Sequence, residues 1–283
     1  MFTIKINYLD LKKIAMSGQC FRMHMIDDTH AELIALGRYL QIADLGDSKY
    51  VFSCSEKEFN DIWYNYFDLS RDYDSIIKNI DEDDEYLRLA SDYSYGIRIL
   101  RQEPFETLIS YIISQRRSIP SIMTSVERLA TRYGKEIRLD DIELDDKIFA
   151  KPIKEKYYSF PSSYELEEVS VSDIRELGVG YRAEYIFDAI KRINCNKVNL
   201  LQFYDLSDEE LLNSLLDMHG VGVKVANCVM LYAYSRTHSF PIDVWMKRIL
   251  DKYYNGIFDL DHYKDSNGIL QQLMFYYERT KSV

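Results

Sequence analysis

The sequence predicts an α+β fold, in which a small antiparallel sheet with one helix precedes a helical domain. Two observations support this prediction: apolar residues alternate with a period of two over roughly the first hundred residues, and the period becomes helical from residue 98 onward. A chain of 283 residues is also long enough to bury a substantial core in two units. We therefore expect an N-terminal α+β domain at 1–97 and a helical domain at 98–283.

Short alternating segments predict the strands of the N-terminal sheet. These segments are 3–6, 40–43 and 50–53. One helix is expected to follow and to pack on the sheet, because large apolar side chains recur on a single helical face. These side chains are Phe59, Ile62, Trp63, Tyr66 and Phe67.

Apolar stripes predict the helices of the second domain. The two clearest stripes are Phe105, Leu108, Ile109, Ile112 and Ile113, and then Tyr185, Ile186, Ala189, Ile190 and Ile193. Ser207 and Glu210 have the spacing of a capping box and predict the start of a further helix. Pro104, Pro161 and Pro241 are expected at helix boundaries.

Composition excludes several classes of protein. Hydrophobic residues at 47% and charged residues at 29% are ordinary for a globular protein, and no apolar run is long enough to cross a membrane. The first residues lack the pattern of a secretory signal, so we expect an intracellular protein of the cytoplasm or nucleoid. The four cysteines are far apart and the five histidines are scattered, so no disulfide framework, metal site or cofactor is expected.

The net charge of −11 argues against a nucleic-acid partner when it is taken alone. The pI of about 5.0 points the same way. An acidic protein can still bind DNA through a local cationic face and through backbone amides. Much of the acid lies in runs such as 81–85, for which we expect a solvated surface.

The most informative segment is a turn with two glycines, Gly220 and Gly222, between two amphipathic helices. Such glycines permit unusual backbone angles and leave the amides of the next helix free to hold a phosphate. Lys224 falls in the first turn of that helix, where the helix dipole disfavours the protonated amine and makes it available as a nucleophile. The alternatives are an ordinary tight turn and an ordinary surface lysine.

Asp243 follows the lysine after one helix and a short loop. It lies between apolar residues and can cap the helix that runs through Met246 to Leu250. The simplest interpretation is an N-cap. A capping carboxylate is rigidly aimed, so a catalytic role is compatible with the cap.

Together these residues carry a family resemblance. The Gly-Val-Gly-Val-Lys segment, followed nineteen residues after the lysine by the aspartate of Pro-Ile-Asp-Val, resembles the signature of helix-hairpin-helix (HhH-GPD) DNA glycosylases. Further elements resemble the 8-oxoguanine glycosylase/AP lyase branch, over most of the chain and in the right order. They are Ser17-Gly18-Gln19-Cys20-Phe21-Arg22, Arg101-Gln102-Glu103-Pro104-Phe105-Glu106, Phe160-Pro161-Ser162, Leu177-Gly178-Val179-Gly180-Tyr181-Arg182-Ala183, and Gly268-Ile269-Leu270-Gln271 with Phe275.

The resemblance implies a role for each matching residue. Lys224 would attack C1′ of the damaged nucleotide, and Asp243 would assist departure of the base. The Gly18 carbonyl would accept a hydrogen bond from N7–H of 8-oxoguanine, where guanine has no proton. Cys228 and Phe275 would sandwich the base, and Gln271 would bind its edge. From spacing alone, Cys228 and Phe275 could equally be core, Gln271 a solvated helix residue and Gly18 a turn glycine.

Other matching positions imply contacts with DNA, and some depart from the family pattern. Gly220 and Gly222 would hold a phosphate. Animal members carry asparagines where this chain has Arg116-Arg117-Ser118, so either arginine could fill the gap left by the flipped base. Tyr181 and Arg182 match residues that contact the opposite base. Ser121 stands where the family has a further arginine for that purpose, and Trp245 replaces a phosphate-binding histidine.

The resemblance implies two helical lobes with the active-site cleft between them, and a bifunctional enzyme that excises 8-oxoguanine and cleaves the strand by β-elimination. The expected partner is double-stranded DNA containing an oxidised purine, bound by a monomer and without a membrane. No catalytic metal is implied, and binding of a monovalent cation by the hairpin stays open. The alternatives are a monofunctional glycosylase for alkylated bases, which would not need Lys224, and a non-catalytic DNA-binding module.

Overall fold

The computed structural model describes residues 1–142 and 144–281. A five-stranded antiparallel sheet precedes a largely helical body, which confirms the predicted α+β fold. The strand order is β1-β5-β4-β3-β2, and a two-stranded ribbon, β6-β7, lies within the helical body. The strands are β1 (Phe2–Lys5), β2 (Met23–Met25), β3 (His30–Ala35), β4 (Arg38–Asp44), β5 (Lys49–Phe52), β6 (Glu136–Ile137) and β7 (Tyr157–Tyr158).

Helices make up most of the remaining described residues, and none of those helices is both long enough and apolar enough to cross a membrane. In chain order they are α1 (Leu11–Met16), α2 (Glu56–Glu58), α3 (Tyr64–Tyr66), α4 (Tyr73–Lys78), α5 (Glu85–Tyr93), α6 (Pro104–Ser114), α7 (Ile119–Tyr133), α8 (Val171–Ile174), α9 (Arg182–Asn194), α10 (Asp208–Leu216), α11 (Val223–Tyr232), α12 (Val244–Tyr253) and α13 (Asn267–Lys281). Two π-helical segments, Phe59–Trp63 and Arg175–Val179, and two 3-10 turns, Leu139–Asp141 and Gln202–Asp205, complete them.

The sheet contains the three predicted strands, as β1, β4 and β5, and two strands that the alternation did not reveal. One of these, β2, has only three residues, and the other, β3, is buried along nearly its whole length. Both faces of the sheet are covered: Leu33 packs towards the segment around Phe59, and Ile34 packs on Tyr157. A strand that is buried on both faces has little polar alternation to reveal it.

The helix expected at 59–67 is an α2–π–α3 run, with five residues in its π segment. Phe59, Trp63, Tyr66 and Phe67 are buried as expected, and Ile62 is partly buried. A π segment has more residues per turn than an α-helix, so it rotates the residues that follow it by a fraction of a turn. This local change in pitch is not visible in the apolar spacing.

The helices predicted after residue 98 are present as α6, α9 and α10. Pro104 is the first residue of α6, and the capping box of Ser207 and Glu210 begins α10. The packing crosses the expected domain boundary, because α5 lies against α13 and Leu87 belongs to the same core as the helical body. The division at residue 97/98 therefore stays a prediction.

Candidate active site

The two-glycine turn joins α10 to α11. Gly220 has a φ of +79°, and a Cβ there would lie 2.2 Å from the Tyr185 ring, so no side chain fits. Gly222 caps α11 with an ordinary φ and has open space around its Cα. Gln115 Nε2 donates to the Gly220 carbonyl at 3.0 Å and ties the hairpin to the end of α6. Because Gly222 has no side chain and its surroundings are open, no side chain at this position covers the first backbone amides of α11.

Lys224 lies in the first turn of α11, as predicted, and is half-buried. Its Nζ is 5.1 Å from the centroid of the Tyr111 ring, a cation–π contact. The Cys228 thiol lies one turn further along the same face of α11. Burial raises the pKa of that thiol, and the nearby Lys224 amine opposes the rise. The amine is thus held between an aromatic face and a neutral thiol.

Asp243 caps α12, as predicted: its Oδ1 accepts a hydrogen bond from the Met246 amide at 2.9 Å. The carboxylate is half-buried and lines the same cleft as Lys224. Within residues 1–142 and 144–281, no ion pair joins the two groups. The cleft has a volume of about 870 Å³.

The inner end of the cleft brings together the predicted base-binding residues, Gly18, Cys228, Gln271 and Phe275, beside Lys224 and Asp243. Its volume is about 40 Å³. An engineered cavity that binds benzene measures about 150 Å³. A purine base therefore enters only after this end has widened.

Gln271 is 4% exposed, and its Oε1 has no hydrogen-bond partner among the residues that the structure describes. An unpaired buried amide oxygen costs on the order of 1–3 kcal/mol. This oxygen lines the inner end of the cleft, where a donor on a bound ligand would satisfy it.

The loop at 17–20 is tied to the helical body at several points. Gln272 Nε2 donates to the Ser17 carbonyl at 3.0 Å, and the Gln19 amide bonds to the backbone at Arg98 and Leu100. Gly18 has a φ of +79°, and a Cβ there would lie 2.9 Å from Ile119 Cδ1. These contacts hold the Gly18 carbonyl at the cleft.

Sequence reasoning missed Tyr111, Tyr232 and Gln272, which surround this loop. Tyr232 follows Lys224 by eight residues, on the same face of α11, and Gln272 adjoins Gln271. Spacing could have singled out Tyr232 but not Gln272, because adjacent residues of a helix do not share a face. Tyr111 lies in the apolar stripe of α6 and looks like core. The Tyr111 hydroxyl is 3.4 Å from the Gly18 oxygen.

The structure gives the paired arginines different environments. Arg117 donates to the hydroxyls of Ser121 and Ser125 and to the Gly178 carbonyl, and so holds α7 to the π segment that precedes α9. Arg116 is exposed, with a φ of +52°, in the turn between α6 and α7. Both line the cleft.

Tyr181 and Arg182 also differ. Tyr181 is 50% exposed and available to a ligand. Arg182 is buried, stacks on the Tyr181 ring, and donates to the carbonyls of Val179 and Gln115. A contact between Arg182 and an opposite base would require those bonds to break, so that contact stays a prediction. Trp245 carries the Arg248 guanidinium over its ring, at 5.3 Å from the centroid.

Comparisons with known proteins point to one family. The 8-oxoguanine DNA glycosylase N-terminal domain matches residues 1–108. A probable N-glycosylase/DNA lyase of Methanothermobacter thermautotrophicus is 29% identical over 67% of this chain and 62% of its own. The N-glycosylase/DNA lyase of Saccharomyces cerevisiae is 34% identical over 60% of this chain and 45% of its own. The chain thus spans less than two thirds of the length of these curated relatives.

Solved structures match over nearly the whole chain. A structure of MBOgg1 with a low-affinity DNA ligand has a TM-score of 0.90 and 35% identity, covering 99% of this chain and 96% of that one. The Clostridium acetobutylicum 8-oxoguanine glycosylase/lyase, bound to double-stranded DNA with cytosine opposite 8-oxoG, has a TM-score of 0.86 and 32% identity, covering 98% and 94%. The 3-methyladenine DNA glycosylase of Archaeoglobus fulgidus shares the fold, at 19% identity, a TM-score of 0.74 and complete coverage of both chains.

Proposed function

Since this chain belongs to the 8-oxoguanine DNA glycosylase family, we propose that it excises 8-oxoguanine from double-stranded DNA and then cleaves the abasic strand. One observation carries the proposal. An amine, a carboxylate and the predicted base-binding residues converge on one cleft from four separate segments of the chain. The proposed partner is duplex DNA containing an oxidised purine, bound by a single copy of the chain.

The chemistry begins at the Lys224 amine. The nitrogen bonds to C1′ as the bond between C1′ and the base breaks, and the base leaves with the electron pair and takes up a proton. The Asp243 carboxylate stabilises the positive charge that develops on the sugar. The opened sugar is then joined to Lys224 as a Schiff base. Loss of a proton from C2′ expels the 3′ phosphate and breaks the strand.

Recognition of the base depends on hydrogen-bond polarity. The Gly18 carbonyl accepts from N7–H of 8-oxoguanine but faces a lone pair at N7 of guanine. The unpaired Gln271 oxygen is available to a donor on the edge of the base. Cys228 and Phe275 would enclose the base once the inner end of the cleft has widened. Flipping costs a few kcal/mol, which these contacts offset.

Borohydride trapping tests the proposal. The protein is incubated with a duplex carrying one 8-oxoguanine opposite each of the four bases in turn, and borohydride reduces the Schiff base to a stable amine. We expect a covalent protein–DNA adduct that is lost in Lys224→Gln and persists in Lys247→Gln, whose lysine lines the same cleft. Absence of both adduct and strand cleavage with all four duplexes would sink the proposal. It would leave an alkylated-base glycosylase or a non-catalytic DNA-binding module.

A further inference from the structure

We propose that Tyr111, Tyr232 and Gln272 form a positioning network that fixes the direction of the Gly18 carbonyl and thereby sets how sharply 8-oxoguanine is distinguished from guanine. This inference rests on the proposed function, because it concerns how the same cleft recognises 8-oxoguanine. The three side chains do not themselves react. It adds three side chains to the recognition site. All three are buried at or beside the inner end of the cleft.

The first contact is made by the Tyr111 hydroxyl. Its oxygen is 3.4 Å from the Gly18 carbonyl oxygen and 3.3 Å from that of Gln19. The hydroxyl has one proton, which these two carbonyls share, and the Gln19 carbonyl has a second donor in Gln102 Nε2 at 2.8 Å. In the described part of the chain, Tyr111 is the donor found at the Gly18 carbonyl. A carbonyl oxygen has two lone pairs, so one can hold the tyrosine while the other faces the base.

The second contact is made through Tyr232. Its ring stacks on that of Tyr111, with centroids 5.5 Å apart and planes at 12°. Its hydroxyl donates to Gln272 Oε1, which turns the other end of that amide towards the Ser17 carbonyl, where Nε2 donates at 3.0 Å. The stacked pair therefore holds the carbonyls of two consecutive residues, Ser17 and Gly18.

Both hydroxyls stay protonated and remain donors. Burial, and then the neighbouring Tyr232 hydroxyl, raises the pKa of Tyr111 well above its ordinary value. Burial likewise raises the pKa of Tyr232. The network therefore keeps its polarity across the pH range in which a protein of this kind works.

A fixed carbonyl matters because the two bases differ at N7 in the sign of the interaction. A carbonyl that is free to rotate can turn away from the guanine lone pair, which reduces the penalty against guanine. It also spends less time aligned with N7–H of 8-oxoguanine. Loosening the network therefore weakens discrimination without changing how the protein holds a DNA backbone that lacks a base.

Equilibrium binding tests this inference in a Lys224→Gln parent that cannot turn over. Three duplexes are compared, carrying 8-oxoguanine, guanine or a tetrahydrofuran abasic analogue at the same position. Tyr111→Phe removes one oxygen and keeps the ring that stacks on Tyr232. We expect it to weaken binding of the 8-oxoguanine duplex about 3- to 10-fold, the size of one hydrogen bond, and to leave the abasic duplex unchanged. Tyr232→Phe is expected to give the same pattern.

Tyr234→Phe is the matched control, because it also removes a buried hydroxyl that donates to a carbonyl, that of Leu200 at 3.0 Å. We expect no change in discrimination. Equal weakening of all three duplexes by Tyr111→Phe, or an unchanged ratio in both test variants, would overturn the inference while the proposed function stands. A parent without preference for 8-oxoguanine over guanine would overturn the proposed function itself.

Discussion

At the scale of single residues, Asp243 has two roles that one substitution can separate. Asparagine caps a helix about as well as aspartate does, so we expect Asp243→Asn to keep the wild-type melting temperature while excision falls by about 100-fold or more through the loss of charge. Asp243→Ala should lose the same activity and also about 1 kcal/mol of stability. Thermal unfolding and single-turnover excision measure the two effects. Normal excision by the asparagine variant would remove Asp243 from the mechanism.

The two arginines that precede α7 allow a second separation of roles. Arg117→Ala loses its bonds to Ser121, Ser125 and Gly178, so we expect a loss of about 1–3 kcal/mol in the free energy of unfolding. Arg116 is exposed, and Arg116→Ala should leave stability within about 0.5 kcal/mol. If Arg116 fills the gap left by the flipped base, its removal should slow excision about tenfold. Excision at the normal rate would assign the gap to another side chain.

Residue by residue, the chemistry of an amine and a carboxylate at helix starts indicated Lys224 and Asp243 as candidates for the reacting pair. The candidate base-binding set came from the family resemblance, because spacing alone left those residues open. It did not reveal which of these side chains are already committed to other contacts. Arg182 looks like a DNA contact in the sequence but is buried against two carbonyls. Tyr111 looks like core because its stripe is apolar, and only the fold brings its hydroxyl to Gly18.

At the scale of elements, the hairpin offers a matched pair of glycines. Gly220→Ala would force a Cβ to within 2.2 Å of the Tyr185 ring at a φ of +79°, and we expect it to cost at least about 2 kcal/mol of stability. Gly222→Ala meets no atom within 4 Å and should fold normally. Its methyl group would stand over the first amides of α11 and weaken duplex binding by about 1 kcal/mol, roughly fivefold. Unchanged binding would show that those amides do not hold a phosphate.

The first turn of α6 should make stability depend on pH. Burial raises the pKa of Glu106 from 4.5 to about 7, although the Arg22 guanidinium opposes the rise. Folding therefore favours the protonated acid, and its contribution, complete below about pH 4.5, is lost as pH rises through 7. Relative to wild type, Glu106→Gln should gain about 1–3 kcal/mol in unfolding free energy between pH 5 and 8. Urea unfolding at several pH values measures this gain; a constant difference would contradict it.

Elements with a clear period and chemical caps were predictable from the sequence, as the stripe and first proline of α6 and the capping box of α10 illustrate. Elements that lack a period were not. β3 is covered on both faces, and the π segment after α2 changes the pitch without changing which residues are buried. The packing of α5 on α13 depends on contacts between distant parts of the chain, which no local pattern encodes.

At the scale of the whole molecule, charge is unevenly distributed. The cleft is lined by Arg116, Arg117, Lys224, Lys247 and Arg279 and by one carboxylate, Asp243, although the chain carries a net charge of −11. We expect duplex binding to weaken with salt, and Lys247→Gln to reduce the slope of log affinity against log salt by about 0.9. Lys197 follows the C-terminal end of α9, whereas Tyr181 precedes its start. Lys197→Gln is therefore the control and should leave the slope unchanged. Equal slopes in all three proteins would exclude a phosphate contact by Lys247.

The same distribution determines how the protein and its substrate meet. The net charge of −11 repels DNA, whereas the cations that line the cleft attract it, so the field favours encounters in which the cleft faces the duplex. Encounters in other orientations are correspondingly weaker. We expect the protein to sample the duplex in short, separate binding events. It should dissociate after each event unless a flipped base enters the cleft.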